Sequence, residues 1–462
     1  MAVARRSGMY ESQAGDFSMC LAGEVILQRR LSVFREPQFL RLVELIRGSD
    51  AAALNLEGVV HEFQGPPGAK RHGLYWTAIA PQALEDLRWM GFNMVSNANN
   101  HALDYGEWAL LNTIKECERA GLAHAGTGPT LRDARAPAYL DTPRGRVALI
   151  GVSGIANYPE AEESFRAGEQ TPYHLGRPGV SGIGIEAENV VLGEDIRLLQ
   201  KLGNELGIER QKESMRDLGM LLPEDSDKVQ HLFGQKFVRG EARGRTTRPN
   251  AADLADVVRQ VQEASRQAEW VIVSMHLHED MFNDQPPQCQ IDVARAVIDA
   301  GAHIFAGHGP HTPRGVEIYK GRPIFYGLGQ FVLQVESIPK VTQRQQERYG
   351  LDYGSTPSEY ILTQTKDETI LFPPRKEYFQ TILPICRWEG GRLKQIEVYP
   401  IELGFKTPWG ARGRPVLAAP EDAAAILAHF GGVCAGLGTR LDIAGETGII
   451  KPQASQQVVP CQ

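Results

Sequence analysis

The sequence predicts an α/β layered fold carrying an inserted subdomain, and two observations predict it. Short apolar runs alternate with amphipathic, helix-like segments along most of the chain, the pattern of strands and helices packed in layers. From about Asn157 to Asn250 that alternation gives way to a charged, Gly- and Pro-rich stretch before it resumes, which is how an insertion reads. The chain has 462 residues, 42% hydrophobic and 23% charged, enough to bury a full core and far from a disordered composition.

Phe17 to Ala22 is the first strand-like run. Pro37 to Gly48 reads as a helix leading into a strand at Ala51 to Leu56. Pro81 to Met90 is a helix opened by proline, with Ala83, Leu84, Leu87 and Met90 on one face. Phe92 to Ser96 is a strand, Gly106 to Ala120 a helix closed by Gly121, and Val147 to Val152 another strand. Inside the insertion only Gly193 to Leu206 looks helical. After it come a helix at Ala251 to Gln267, a strand at Trp270 to Met275, a helix at Asp292 to Ala300 and a strand at His303 to Ala306. Val316 to Tyr319 and Pro323 to Tyr326 form a hairpin around Lys320-Gly321. Gln380 to Trp388 and Leu393 to Leu403 form a second around Glu389-Gly390-Gly391, and a last helix runs from Glu421 to Phe430. The expected organisation is one domain over residues 1–156 and 251–410, an insertion at 157–250 acting as a lid or specificity subdomain, and a C-terminal helix and tail at 411–462.

Composition excludes several classes. Lys and Arg total 49 against 56 Asp and Glu, a net charge of −7, so no nucleic-acid partner is expected without a local basic face. The best candidate, Arg239, Arg243, Arg245 and Arg248 beside Glu241 and Asp253, reads as a solvated segment or a local anion grip. Glu11, Asp16 and Glu24 break the N-terminal stretch, and no window reaches a membrane-spanning length. A cytoplasmic protein without a membrane anchor is the expectation, and self-association into a homo-oligomer is left open. The six cysteines contain no C-x-x-C pair, against a structural zinc knuckle or a disulfide framework.

The chemistry sits where strands end. In open α/β sheets, sites form beyond the carboxyl ends of strands, and five apolar runs here lead into metal-ligand residue types. They lead into Gly23-Glu24, Asn55-Leu56-Glu57, the Asn97 to His101 block, His276-Leu277-His278-Glu279-Asp280, and His308-Gly309-Pro310-His311. Mixed oxygen and imidazole donors suit Zn, Mn or Fe. With two such ions, a bridging carboxylate such as Glu57 is expected.

Each residue has a plainer reading. Glu24 is also a strand-end carboxylate, Glu57 a turn residue, Asn100 a helix N-cap, and His276 a satisfied core histidine. Neighbours tilt the balance towards function at Asn100-His101, at His276 with His278 and Glu279, and at His308 with His311. His303 reads as structural, while His61, His72, His124, His174, His231 and His429 carry no functional claim.

These residues carry a family resemblance. The chain resembles the CapA family of capsule and poly-γ-glutamate biosynthesis proteins, which have a calcineurin-like metallophosphoesterase fold. The matching segments are GEVILQR at Gly23 to Arg29, NLEG at Asn55 to Gly58, SNANNHALDYG at Ser96 to Gly106, VIVSMHLHED at Val271 to Asp280, GAHIFAGHGPH at Gly301 to His311, and GVEIYKGRPIFYGLGQF at Gly315 to Phe331. They span roughly Asp16 to Phe331 apart from the insertion. The resemblance implies a four-layer α/β/β/α sandwich of the metallophosphoesterase type with a dinuclear centre. It implies Glu24, Glu57, Asn100, His276, His308 and His311 around the metals, His101 as catalytic acid or transition-state stabiliser, and Asp104 orienting it. The chain departs from the pattern at Glu24, where aspartate is usual, at Gly309, where a histidine is frequent, at His278, where glycine is usual, and at Gln330, where asparagine is usual. His278 thereby adds a ligand or a substrate contact. A membrane anchor of the kind common in capsule-system members is not expected from this sequence.

The function expected is a metal-dependent hydrolase directing activated water at a phosphoester, ester or amide of a small or medium anionic substrate. Arg29, with its neighbour Arg30, and Arg177 are the candidate anion contacts. The alternatives are a capsule-assembly component that binds polymer without cleaving it, and a scaffold that has lost its metals.

Overall fold

The computed structural model describes residues 15–68, 76–156 and 165–452. Two large mixed sheets pack face to face between two layers of helices. The alternation within single strands builds this arrangement. In the strand Phe17–Ile26, Phe17, Met19 and Leu21 enter the core between the sheets, while Cys20 and Ala22 face the outer helices. In the strand Trp270–His276, Trp270 and Ile272 enter the same central core, and Val271, Val273 and Met275 face the opposite helical layer. Strands buried on both faces read as unbroken apolar runs. Trp270 anchors the centre, with ring centroids 4.9 Å from Phe17 and 5.0 Å from Trp388. Helices Pro37–Arg47 and Gln82–Met90 cover the first sheet, and Ala251–Gln267 and Gln288–Ala300 the second. The result is the α/β/β/α sandwich that the resemblance implies.

In the first sheet Phe17–Ile26, Ala51–Leu56, Met94–Ser96 and Ala123–Ala125 lie side by side and parallel. The opposite edge of Phe17–Ile26 changes partner along its length. Its first half pairs antiparallel with Gln380–Glu389, and its second half pairs parallel with Gln330–Leu333 across a register shift at Glu24/Val25. Gly23 permits that switch, because a Cβ there would stand 1.8 Å from the Gly329 carbonyl oxygen. In the second sheet Gly145–Ala156, Trp270–His276 and Ile304–His308 run parallel, followed by Arg322–Leu328 and its antiparallel neighbour Pro313–Tyr319. Lys320 and Gly321 turn that hairpin with φ of 51° and 76°, as a tight type I′ turn requires.

Several elements extend past their expected bounds. Glu24, His276 and His308 lie inside their strands, and His303 falls just before Ile304–His308. The last helix runs Pro420–Gly436, and Thr447–Ile450 beyond it pairs with Arg392–Glu402 in the first sheet. The stretch expected as an insertion supplies strands to the second sheet: Gly182–Val191 pairs parallel with Gly145–Ala156 and antiparallel with Gly244–Pro249. Its first residues, 157–164, lie outside the described residues, as do His72 and Cys461. The other five cysteines are free and buried. No helix among the described residues is long and apolar enough to cross a membrane.

Candidate metal centre

Strands of both sheets deliver their polar ends to one place. Glu57 follows Ala51–Leu56, His276 closes Trp270–His276, and His308 closes Ile304–His308 beside it, in register with His276. One donor atom from each of Glu57, His278 and His311 lies within 4.8 Å of the other two. The His278 ring centroid stands 4.8 Å from that of His276 and 5.2 Å from that of His311. Glu57 Oε1 is 3.8 Å from both His101 Nε2 and His276 Nε2. The side chains expected from sequence at Glu57, His101, His276, His278 and His311 therefore converge.

Polar groups wall the cluster. Glu24 is buried, and both of its oxygens are engaged within the protein: Oε1 accepts from the Gly309 N–H, and Oε2 lies 2.6 Å from His311 Nδ1. Burial pushes this carboxyl upward, but His311, His308 and the Gly309 N–H outweigh it and hold it below the usual carboxylate range. Burial lowers His311 as well, yet the Glu24 carboxylate raises it to about 9. Gln330, the departure near the end of the last motif, places its amide 2.6 Å from His311 Nδ1. For His308 burial outweighs the pull of Glu24 and brings it down to about 4. Burial, followed by the neighbouring histidines, pushes His276 well down too.

The loop glycine is conformationally required. Gly309 has φ of 117°, and a Cβ would lie 2.0 Å from the Leu277 carbonyl oxygen. No histidine fits this loop as folded. Its backbone N–H instead meets Glu24.

Next to the cluster, His101 Nδ1 lies 2.7 Å from Asp104 Oδ2, which also accepts from the Thr77 backbone N–H at 2.6 Å. The buried Asp104 carboxylate thus fixes the ring and leaves Nε2 facing Glu57. Buried atoms without a hydrogen-bond partner test whether the residues suit a metal ion. Asn100 Oδ1 and His308 Nδ1 are two of them, and they are the atom types a divalent ion accepts. The residues fit such an ion.

The two arginines expected as anion contacts each engage a backbone carbonyl through one donor. Arg29 Nη2 donates to the Arg412 carbonyl, and Arg177 Nη2 donates to the Arg166 carbonyl at 2.5 Å. Three of the four clustered arginines are paired within the protein: Arg243 with Asp195, Arg248 with Glu186 and Glu188, and Arg245 with Glu279. Arg245 belongs to Gly244–Pro249, so that strand grips the residue after His278.

The family described as "Bacterial capsule synthesis protein PGA_cap" matches residues 14–335. The chain belongs to this family. A protein of Sinorhizobium fredii called "Uncharacterized protein y4sH" is 32% identical over 449 residues, 94% of this chain and 93% of its own. "PGA biosynthesis protein CapA" of Bacillus subtilis is 25% identical over 321 residues, 68% of this chain and 63% of its own. "Capsule biosynthesis protein CapA" of Bacillus anthracis is 24% identical over 251 residues, 54% of this chain and 42% of its own.

The PGA_cap match contains every clustered residue named above, but one further wall lies beyond it. Phe372 presents its ring edge-on to His311 with centroids 5.6 Å apart, and packs on Tyr378 at 4.9 Å. Nothing in the local sequence Leu371-Phe372-Pro373-Pro374 signals this contact. Thr77 is equally silent, since a lone threonine before a two-residue strand has no motif.

Proposed function

We propose that this PGA_cap family member is a metal-dependent hydrolase acting on an anionic substrate. The observation that carries this reading is the convergence of donor atoms from Glu57, His278 and His311 within 4.8 Å, with the His101–Asp104 pair alongside. Glu57, His278 and His311 would hold a divalent ion of the Zn, Mn or Fe type, with Asn100 and His308, whose buried Oδ1 and Nδ1 find no hydrogen-bond partner among the described residues, as further candidates; whether one ion or two is part of the test. When bound, such an ion acts as a Lewis acid and lowers the pKa of water.

The remaining chemistry belongs to the protein. Glu24 engages His311 at Nδ1, which leaves the other ring nitrogen as the one that would hold an ion. Asp104 takes the Nδ1 proton of His101 in a hydrogen bond, leaving Nε2 to deliver a proton to a leaving group or to stabilise developing charge. Phe372 packs against His311 and forms an apolar wall on that side.

A panel of chromogenic phosphate, ester and amide substrates, each assayed with Mn, Zn and Fe, tests the reading. Turnover with at least one class, abolished by a chelator and restored by metal, is expected. No turnover with any class and metal would remove it. The names of the Bacillus relatives favour a second reading, a capsule or poly-γ-glutamate biosynthesis component that binds polymer without cleaving it. Retention on immobilised poly-glutamate without cleavage would support that one.

A further inference from the structure

Beside the cluster lies a stretch of chain whose backbone is costly to hold. The helix Pro357–Thr365 is followed by Lys366, Asp367 and Glu368 with φ of 47°, 52° and 63°, and Leu371 follows at 64°. None is glycine, and left-handed backbone is unfavourable for a residue that carries a Cβ. Such conformations persist only where the surroundings impose them, and they gather at functional sites. Here Glu368 supplies the hold. Its Oε1 accepts from Trp409 Nε1 at 2.6 Å and from Arg412 Nη1. Arg412 is itself buried and donates twice to the Thr407 carbonyl, at 3.1 and 3.0 Å. The Glu368 N–H donates to Thr365 Oγ1 at 3.1 Å, which ties the turn back to the helix.

What this strap delivers is Phe372. Its ring meets His311 with centroids 5.6 Å apart, and Tyr378 backs it at 4.9 Å. Packing against the outer core of the first sheet accounts for the buried part of the ring. The residue is only half-buried, so the rest of it faces solvent. His311 in turn shares the 4.8 Å donor set with Glu57 and His278. A group held by those donors therefore has an apolar ring beside it, on a side that offers no hydrogen bond to charge. The strap lies beyond residues 14–335, which the family matches, so this wall is supplied by chain outside the matched domain.

We propose that Phe372 is a specificity-determining residue of this site, and that the substrate is an anion carrying an aromatic or aliphatic group next to its charged end. The charged end, a phosphate or a carboxylate, goes to the cluster, and the apolar group lies against Phe372. Glu368 is the positioning residue that keeps the ring there. The proposal rests on the metal-centre reading above and names the substrate class of that same site.

Two matched pairs of probes test it by titration calorimetry on the full-length, Mn2+-loaded protein: phenylphosphonate against methylphosphonate, and phenylacetate against acetate. None of the four has a bond that water cleaves, so binding alone is read. Wild type should bind the phenyl member of one pair about tenfold more tightly or better, the scale of removing part of a ring from water. The pair that shows the preference identifies the charged end. Phe372→Ala should bring that ratio to about threefold or less, because truncation removes apolar contact, with most of the loss on the phenyl member. Phe372→Gln keeps the bulk without the apolar surface, and decides the matter should the alanine variant fail to fold. Glu368→Ala should lower the ratio as well, although it leaves the ring in place. A wild type without phenyl preference, a Phe372 variant that keeps it, or one that weakens both members of a pair equally overturns the proposal. An unchanged ratio in Glu368→Ala overturns the positioning role. A wild type that binds none of the probes overturns the proposal too, and Mn2+ uptake on the same sample then tells whether the metal-centre reading falls with it.

Discussion

His101 illustrates how one residue's role is set by what holds it. Its Nδ1 is tied to the buried Asp104, and Asp104 is tied to the Thr77 backbone. Its Nε2 is turned towards Glu57 and the cluster. His101→Ala should therefore fold and keep its metal, yet lose roughly a hundredfold or more in turnover, the share general acid–base groups contribute. Metal analysis beside kinetics checks this, and loss of metal would place His101 among the ligands. Gly309 makes the opposite case, since its role is backbone shape. Gly309→Ala forces a Cβ against the Leu277 carbonyl at a φ of 117°. The expected cost is about 1–3 kcal/mol for a strained residue, read by denaturant unfolding, together with weaker metal binding as Glu24 loses its N–H partner. The residue types at these positions were legible in the sequence, because Asn, His and Glu follow apolar runs. Their separate roles were not, because a hydrogen-bond partner such as Thr77 or Gln330 is chosen by the fold.

At the scale of elements, the strand that follows residues 157–181 is clasped to the helix Ala251–Gln267. Asp253 in the first turn accepts from Arg135 and Arg166 at 2.6 Å each, and from the Gly184 N–H at 3.0 Å. Removing one partner of a buried pair strands the others. Asp253→Ala should lower stability by about 3 kcal/mol and expose residues 165–185 to limited proteolysis. A change below about 0.5 kcal/mol, the range of ordinary surface substitutions, would show that the clasp is idle. The sequence marks Asp253 only as an acidic neighbour of an arginine cluster. Which arginines it meets depends on strands and helices far apart in the chain, and Arg135 is 118 positions away. Helix and strand positions were more legible, since Ala251–Gln267 and Ala51–Leu56 match their apolar periodicity end to end.

For the whole molecule, acid should act through a histidine away from the cluster. Burial, with Arg322 adding to it, lowers His303 from 6.5 to about 3, and its ring Nδ1 accepts from the Val271 N–H at 3.2 Å. Above pH 6.5 the group is neutral in both states. Below that, the unfolded chain takes up a proton the folded chain refuses until about pH 3. Stability therefore falls as pH drops through this window, by about 1.4 kcal/mol per unit at most. His303→Asn should flatten that slope in denaturant titrations at pH 7, 6 and 5, and an unchanged slope would exonerate this residue. Metal should stabilise the fold in turn, by about 2.7 kcal/mol at a hundredfold excess over Kd, and EDTA should reverse the gain in a thermal melt.

By itself the sequence determined the alternating layers and set metal-ligand residue types at the ends of strands. Apolar runs buried on both faces can only be sheet strands between helices, and ligand-type residues after such runs must gather where the strands end. Only the tertiary structure decided what each of those residues does there. It turned Glu24 onto the Gly309–His311 loop, gave Arg29 to the Arg412 carbonyl, brought Phe372 to His311, and set Asn55, itself held by Asn99, against His276. The physical reason is range. Periodicity is a local property of the chain, whereas proton position, ligand geometry and pairing are fixed by contacts between residues far apart in sequence.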